Sequence, residues 1–288
     1  FPLLFVFGEA GTGKTTSVLK LRRLFAMDDV SLKSISDVTQ FSLMAACNSS
    51  NMIPLILDEY KPMMMKETQS QLVSRLIRGA YNSSRGERGT AQQEIVAYYY
   101  RAPIVLLGEQ SIIETAVQHR VIEVQLTRQY INKIPKELFD ALDDVKLESI
   151  GKMFLTFAMA INPDEVKTSY TKVMTSLIED GLALPERPLF NNGVLKNTLH
   201  YLTEFLSQFG IDLDSFLFDK FDEYIKYLKS GNTIIDSLIN KNDVVKIIEV
   251  FNQMADFTTA QVNIIQNSHY AYKDGFIHLD IESIYPLF

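Results

Sequence analysis

The sequence predicts an α/β fold: a parallel sheet, then a mostly helical region that ends in a β-hairpin. Three observations carry this. Short apolar runs at residues 3–7, 52–57, 102–107 and 121–126 each give way to glycine or polar residues, as buried parallel strands do. The first run leads into Gly8-Glu9-Ala10-Gly11-Thr12-Gly13-Lys14-Thr15-Thr16, a glycine-rich turn between a strand and a helix-forming stretch. Past Thr127 the apolar spacing becomes helical, until Asp274-Gly275 separates two alternating segments.

The elements follow in order. Leu3–Phe7 is apolar on both faces and reads as the first core strand. Lys14 to Ala26 reads as a helix, with Val18, Leu21, Leu24 and Phe25 at helical spacing. Residues 31–36 read as a short second strand, and Asp37 as the N-cap of a helix from Val38 to Cys47. After the loop at 48–51, the strand at 52–57 delivers Asp58 and Glu59 at its end. Residues 68–82 carry Leu72, Val73, Leu76, Ile77 and Ala80 on one helical face. Residues 83–90 read as a polar loop and 94–101 as a strand. The strand at 102–107 ends in Gly108-Glu109-Gln110-Ser111, and a short helix at 112–118 precedes the strand at 121–126. Further helices are expected over 135–145, 146–160, 163–180, 191–209, 212–229 and 242–257. Asn162-Pro163-Asp164-Glu165 is a helix start with Pro in the first turn, while Gly181, Pro185 and Pro188 mark a loop. The expected parts are a core at 1–128, a helical lid or connector at 129–230, and at 231–288 a winged-helix unit or a lid with a β-ribbon.

The totals narrow the function classes. The chain has 288 residues, room for two domains, and its 47% hydrophobic and 22% charged content suits a globular protein with a large core. No apolar run is long enough for a transmembrane helix, so no membrane partner is expected. The apolar start lacks a basic n-region, so no secretory signal is read there and a cytoplasmic protein is expected. The chain opens inside a core strand without an initiator Met, which implies residues upstream of Phe1. Cys47 is the single cysteine, which excludes an internal disulfide and a cysteine-rich zinc cluster. In its apolar helical run it reads as a small buried hydrophobe. His119, His200, His269 and His278 show no ligand spacing. A net charge of −7 excludes a protein that coats nucleic acid with its whole surface. It leaves room for one that grips a strand through a local basic segment.

The glycine-rich turn matches G-x-x-x-x-G-K-[ST] at Gly8, Gly13, Lys14 and Thr15. Its glycines permit positive φ and close approach, so successive backbone N–H groups curl around an anion. The following helix adds its positive dipole end. In this pattern Lys14 reaches the β- and γ-phosphates and the Thr15 hydroxyl binds Mg²⁺. Asp58 and Glu59 arrive at the same edge, because ligands of open α/β sheets bind at the carboxyl ends of strands. Asp58 would hold the Mg²⁺ shell and Glu59 would polarise the attacking water.

Residues 75–101 form a basic island in an acidic chain, with Arg75, Arg78, Arg85, Arg88 and Arg101 against Glu87 and Glu94. Two readings stand. Arginines beside Tyr98-Tyr99-Tyr100 suit a single-stranded nucleic acid held by Arg85, Arg88, Tyr99 and Arg101. The other reading is a strand with core-facing tyrosines beside a solvated arginine loop.

The order of phosphate loop, strand with Asp-Glu, strand with a polar tip, arginine, closing strand and helices resembles an AAA+ ATPase core. The stretches PLILDE, RGAYNSSRGERG, APIVLLGEQS and HRVIEVQL more narrowly resemble replicative helicases of phages and mobile genetic elements, relatives of the superfamily 3 and minichromosome-maintenance-like helicases. The resemblance covers residues 1–128. It implies ATP and Mg²⁺ held by Gly8 to Thr16, Asp58 and Glu59, with sensor 1 at Glu109 or Gln110. Those two residues depart from the Asn or Thr usual in the wider family. It implies Arg120 as a finger acting on a neighbouring subunit, so that Lys14, Glu59 and Arg120 carry catalysis, and Arg187 as a sensor 2 arginine. It implies a homo-oligomer, a hexamer, whose hairpin before sensor 1 grips single-stranded or forked DNA in a central pore. The activity implied is that of an ATP-hydrolysing helicase or translocase in replication. Two alternatives stay open: an AAA+ ATPase for transposition, defence or remodelling, and an ATP-gated DNA-binding assembly module.

Overall fold

The strands are β1 (Leu3–Phe7), β2 (Lys33–Ser34), β3 (Leu55–Tyr60), β4 (Arg85–Gly89), β5 (Ile95–Tyr99), β6 (Ile104–Gly108), β7 (Val121–Gln125), β8 (Tyr270–Lys273) and β9 (Phe276–Leu279). They come from a computed structural model of the chain, which describes residues 2–27, 32–62, 64–89, 94–112, 114–229, 270–273 and 276–279. β1, β2, β3, β6 and β7 form one sheet in the order β2-β3-β6-β1-β7, and every neighbouring pair is parallel. Parallel neighbours need crossover connections, usually helices. Those described here are α1 (Lys14–Leu21), α2 (Gln40–Ser49), α3 (Glu67–Tyr81) and α4 (Thr115–Gln118). Consecutive residues such as Leu106 and Leu107, or Phe5, Val6 and Phe7, are all buried, so both faces of the central strands are covered.

The strand order sets the edge chemistry. β6 lies between β1 and β3, although it follows both in the chain. The ends of β1, β6 and β3 therefore stand side by side at the carboxyl edge, each followed by polar residues.

Helices α5 (Arg128–Ile131), α6 (Lys136–Ala141), α7 (Leu147–Ala160), α8 (Pro163–Glu179), α9 (Glu186–Ser207) and α10 (Asp214–Lys229) follow. Two of their contacts with the sheet unit fix their placement. At one, the Arg23 guanidinium donates to the Leu142 and Val145 carbonyls at 2.9 and 2.8 Å. Beside it Gly151 of α7 meets the Leu24 carbonyl so closely that an added Cβ would sit 1.7 Å from its oxygen. At the other, Asn191 of α9 donates to the His119 and Val121 carbonyls at 3.1 and 3.3 Å. Rings of Phe154, Phe157, Phe205 and Phe209 pack together between α7 and the end of α9. Residues 1–225 form one compact unit. Residues 226–288 form a second unit, in which β8 and β9 pair antiparallel from Tyr270↔Leu279 to Lys273↔Phe276. The helix expected at 242–257 and the Asp274-Gly275 turn lie outside the described residues.

Several local expectations are corrected. The first helix ends at Leu21, and a 3₁₀ turn (Arg22–Phe25) carries the chain on. Asp37 does not cap α2. Thr39 does, in a reciprocal capping box with Ser42. β3 starts at Leu55, because Pro54 cannot donate to the ladder. Residues 85–89, expected as loop, form β4 and pair antiparallel with β5. α9 begins at Glu186, so Pro188 lies in its first turn, where a missing N–H costs no helical bond.

Candidate functional site

The loop after β1 has the backbone its glycines allow. Gly11 and Gly13 have φ of 79° and 74°, in the left-handed region. Gly13 is the N-cap of α1 and supplies no side-chain hydrogen bond, so the first amides of the helix stay open to an anion. Gly8 lies against β7, where a Cβ would come 2.0 Å from the Leu126 oxygen. Thr12 closes the turn by donating to the Glu9 carbonyl at 2.9 Å. Glu9, Ala10 and Thr16 are exposed around it. The Lys14 ammonium is drawn into the loop, donating to the Gly8 and Glu9 carbonyls at 2.6 and 2.7 Å. Burial lowers its pKa below the usual lysine value. Glu109 and Asp58 oppose the shift, while Lys61 reinforces it.

Of the acid pair, Asp58 meets this loop. Thr15 Oγ1 donates to Asp58 Oδ2 at 3.1 Å, across 43 positions of sequence. Asp58 Oδ1 accepts the Glu59 amide at 2.7 Å. Leu57 pairs with Leu106 and Tyr60 with Gly108, so three steps along β3 match two along β6. Such a bulge re-aims side chains. Glu59 sits in it at φ 66°, a conformation that costs a non-glycine residue about 1–2 kcal/mol. Its carboxylate accepts the Ser34 hydroxyl, and Ser34 is the β2 partner of Asp58. Glu59 is exposed and tethered toward β2.

The tip of β6 completes the edge. Glu109 pairs with Lys61 at 2.9 Å and acts on Lys14 through its charge. Gln110 Oε1 is shielded from water without a hydrogen-bond partner among the described residues. The donor set fits Mg²⁺ with a triphosphate: a hydroxyl and a carboxylate as hard oxygen ligands, open amides and one ammonium for phosphate. Among the described residues no group of three or more His, Cys, Asp or Glu gathers as a metal cage.

Arg120 and Arg187 lie elsewhere. Leu3, which begins β1, donates its amide to the Arg120 carbonyl at 3.2 Å. Arg120 is therefore at the amino edge, about 16 Å from the loop by the length of a five-residue strand. The residue is 8% exposed, and its guanidinium bonds the Ala116 carbonyl and lies 5.8 Å from the Tyr81 ring. Burial lowers its pKa first, and the Arg187 and Arg78 charges add to this. So the finger expected at Arg120 does not project from this chain. Arg187, expected at the nucleotide, is exposed beside Arg120, because Asn191 docks the start of α9 on that same edge.

The four nucleic-acid candidates divide between two faces. Residues directly opposite in an antiparallel pair share a face. Arg85 lies opposite Tyr99, and the Arg101 guanidinium lies 4.6 Å over the Tyr99 ring. These three gather on the outer face, where Arg85 also pairs with Glu87. Arg88 is on the other face, 3.9 Å over the Phe41 ring of α2, next to the Phe41–Tyr98 contact.

Three residues at the carboxyl edge are additions. Ser34 holds Glu59, Lys61 holds Glu109, and Arg128 reaches the loop from the start of α5, bonding the Ala10 carbonyl at 3.3 Å. Ser34 and Lys61 flank expected positions. Arg128 carried one signal, a basic residue just past a strand's carboxyl end.

No model of a known protein family matches the chain, and no curated protein matches it. No described helix is long and apolar enough to cross a membrane.

Proposed function

We propose that this chain is a Mg²⁺-dependent ATPase of the AAA+ kind, working as a hexameric DNA helicase or translocase of a phage or mobile element. The observation that carries the ATPase reading is the 3.1 Å contact of Thr15 with Asp58, beside Glu59 and under the Lys14 loop. Thr15 and Asp58 would hold Mg²⁺, which supplies charge neutralisation to the phosphates. The loop amides and Lys14 bind and orient the triphosphate, and Lys14 offsets charge at its outer end. Glu59, once released by Ser34, accepts a proton from the attacking water.

The motor reading draws on the hairpin of β4 and β5, whose outer face offers Tyr99 and Arg101 for base stacking and phosphate contact. The oligomer reading draws on the distance of Arg120 from its own loop. Arg120, Arg78 and Arg187 can serve a phosphate only across a subunit boundary, and Arg78 and Arg187 are the exposed members. A winged-helix role for residues 231–288 belongs to the same reading.

The test is Glu59→Gln. It should keep nucleotide binding and lower turnover about 10²–10⁴-fold, with the remaining rate measured by phosphate release. Unaltered turnover would sink the assignment. ATPase stimulated by single-stranded DNA separates the motor from a remodeller, which would lack that stimulation.

A further inference from the structure

The phosphate loop carries an acid, Glu9, at its second position. A carboxylate there repels the polyanion that the loop is built to receive. Its ion-pair partner is Arg128, with Nε 3.5 Å from Glu9 Oε2. The Lys14 ammonium binds the Glu9 carbonyl and leaves the carboxylate to Arg128.

The pair adds little to folding. The two side chains are 68% and 76% exposed, and such pairs are nearly neutral for stability. Yet Arg128 is well placed. Leu126 donates to the Phe7 carbonyl at 2.8 Å, so the end of β7 is fixed to the end of β1 two residues before Arg128. From there Arg128 also takes the Ala10 carbonyl at 3.3 Å. The peptide is trans, so the Gly11 N–H in the same plane points the opposite way from that carbonyl. One side chain thus cancels a like charge and fixes one peptide of an anion-binding turn.

We infer that Arg128 is a positioning residue of the nucleotide site, the counter-ion that lets a loop bearing Glu9 accept a triphosphate. This rests on the nucleotide reading of Gly8 to Thr16. The effect is electrostatic and partly solvent-exposed, so it is modest and salt-dependent.

The experiment is titration of the whole chain with a fluorescent ATP analogue and Mg²⁺, at low and high KCl, with inorganic tripolyphosphate as competitor. Arg128→Ala should weaken analogue and tripolyphosphate binding about three- to tenfold at low salt, and less at high salt. Arg128→Lys should bind within about twofold of the parent, since the charge is kept. Glu9→Gln combined with Arg128→Ala should restore binding. Equal binding by Arg128→Ala and the parent overturns the inference, as does a loss that persists in the Glu9→Gln background or ignores salt. An unfolding midpoint matching the parent shows that Arg128→Ala is folded. Absence of binding by the parent overturns the nucleotide reading, and the inference with it.

Discussion

The carboxyl edge of the sheet and the hairpin of β4 and β5 handle their charged residues in opposite ways. At the edge, residues distant in sequence converge. Thr15 meets Asp58, Glu109 acts on Lys14, and Arg128 meets Glu9. In the hairpin, residues close in sequence diverge. Arg85 and Tyr99 face outward, whereas Arg88 turns inward to Phe41. A parallel sheet delivers strand ends to one line, so a site there is built by topology. A two-stranded ribbon alternates its side chains, so a basic run there is halved by geometry. A count of arginines overstates the hairpin, and a count of carboxylates understates the edge.

One substitution applied to both regions puts the contrast at risk. Gly8→Ala would place a Cβ 2.0 Å from the Leu126 oxygen, at a φ of 152°. Gly89→Ala, at the end of β4, would meet nothing within 4 Å. We expect Gly8→Ala to lose nucleotide binding and about 1–3 kcal/mol of stability. Gly89→Ala should stay within about 0.5 kcal/mol of the parent. Thermal unfolding with and without the Mg²⁺–ATP analogue measures both. Equal behaviour of the two would break the comparison.

The next effect divides the hairpin itself. Tyr99→Ala should weaken single-stranded DNA binding by about 1–3 kcal/mol, the usual worth of one stacked base. Arg88→Ala should leave that affinity nearly intact and lower stability by about 0.5–1 kcal/mol, through loss of its contact with Phe41. Fluorescence anisotropy with a labelled oligonucleotide, beside urea melts, reads the two out. Matching affinity losses would mean that both faces bind. No loss from Tyr99→Ala would remove the hairpin from the DNA reading.

What was legible in the sequence follows the same division. Gly8 to Thr15 was readable because its pattern is local, carried by residue types at fixed spacing. Asp58 and Glu59 were readable because a strand of known direction must end at that edge. The insertion of β6 between β1 and β3 was not, since strand order depends on pairings between distant segments. Arg120 was recognisable as a residue before the last strand. Its burial under Tyr81 depends on α3 and α9 converging there. β4 was missed because Arg-Gly-Glu-Arg-Gly has poor strand propensity, and pairing with β5 and packing of Gly86 on Met44 override it. Arg128 had only its place just past a strand's carboxyl end to mark it, and its reach to Glu9 and Ala10 depends on β7 pairing with β1.

The smallest effect concerns how the hairpin is anchored to α2. Cys47 is fully buried in α2, and its carbonyl accepts the amides of Arg101 and Ala102 at 3.1 and 3.0 Å. Burial pushes its thiol up to about 12, with Lys33 opposing weakly. In the unfolded chain the thiol ionises near its ordinary value, so the native state holds a proton that the unfolded state releases. Its contribution to stability is therefore intact below the ordinary thiol pKa and is lost as pH rises toward about 12. At pH 9 iodoacetamide should label Cys47 in urea and spare it in the native protein. Native labelling at a comparable rate would mean that α2 opens readily and that the hairpin's inner face is loosely held. Protection that falls on Arg88→Ala substitution would instead show the Phe41 contact helping to keep that face closed.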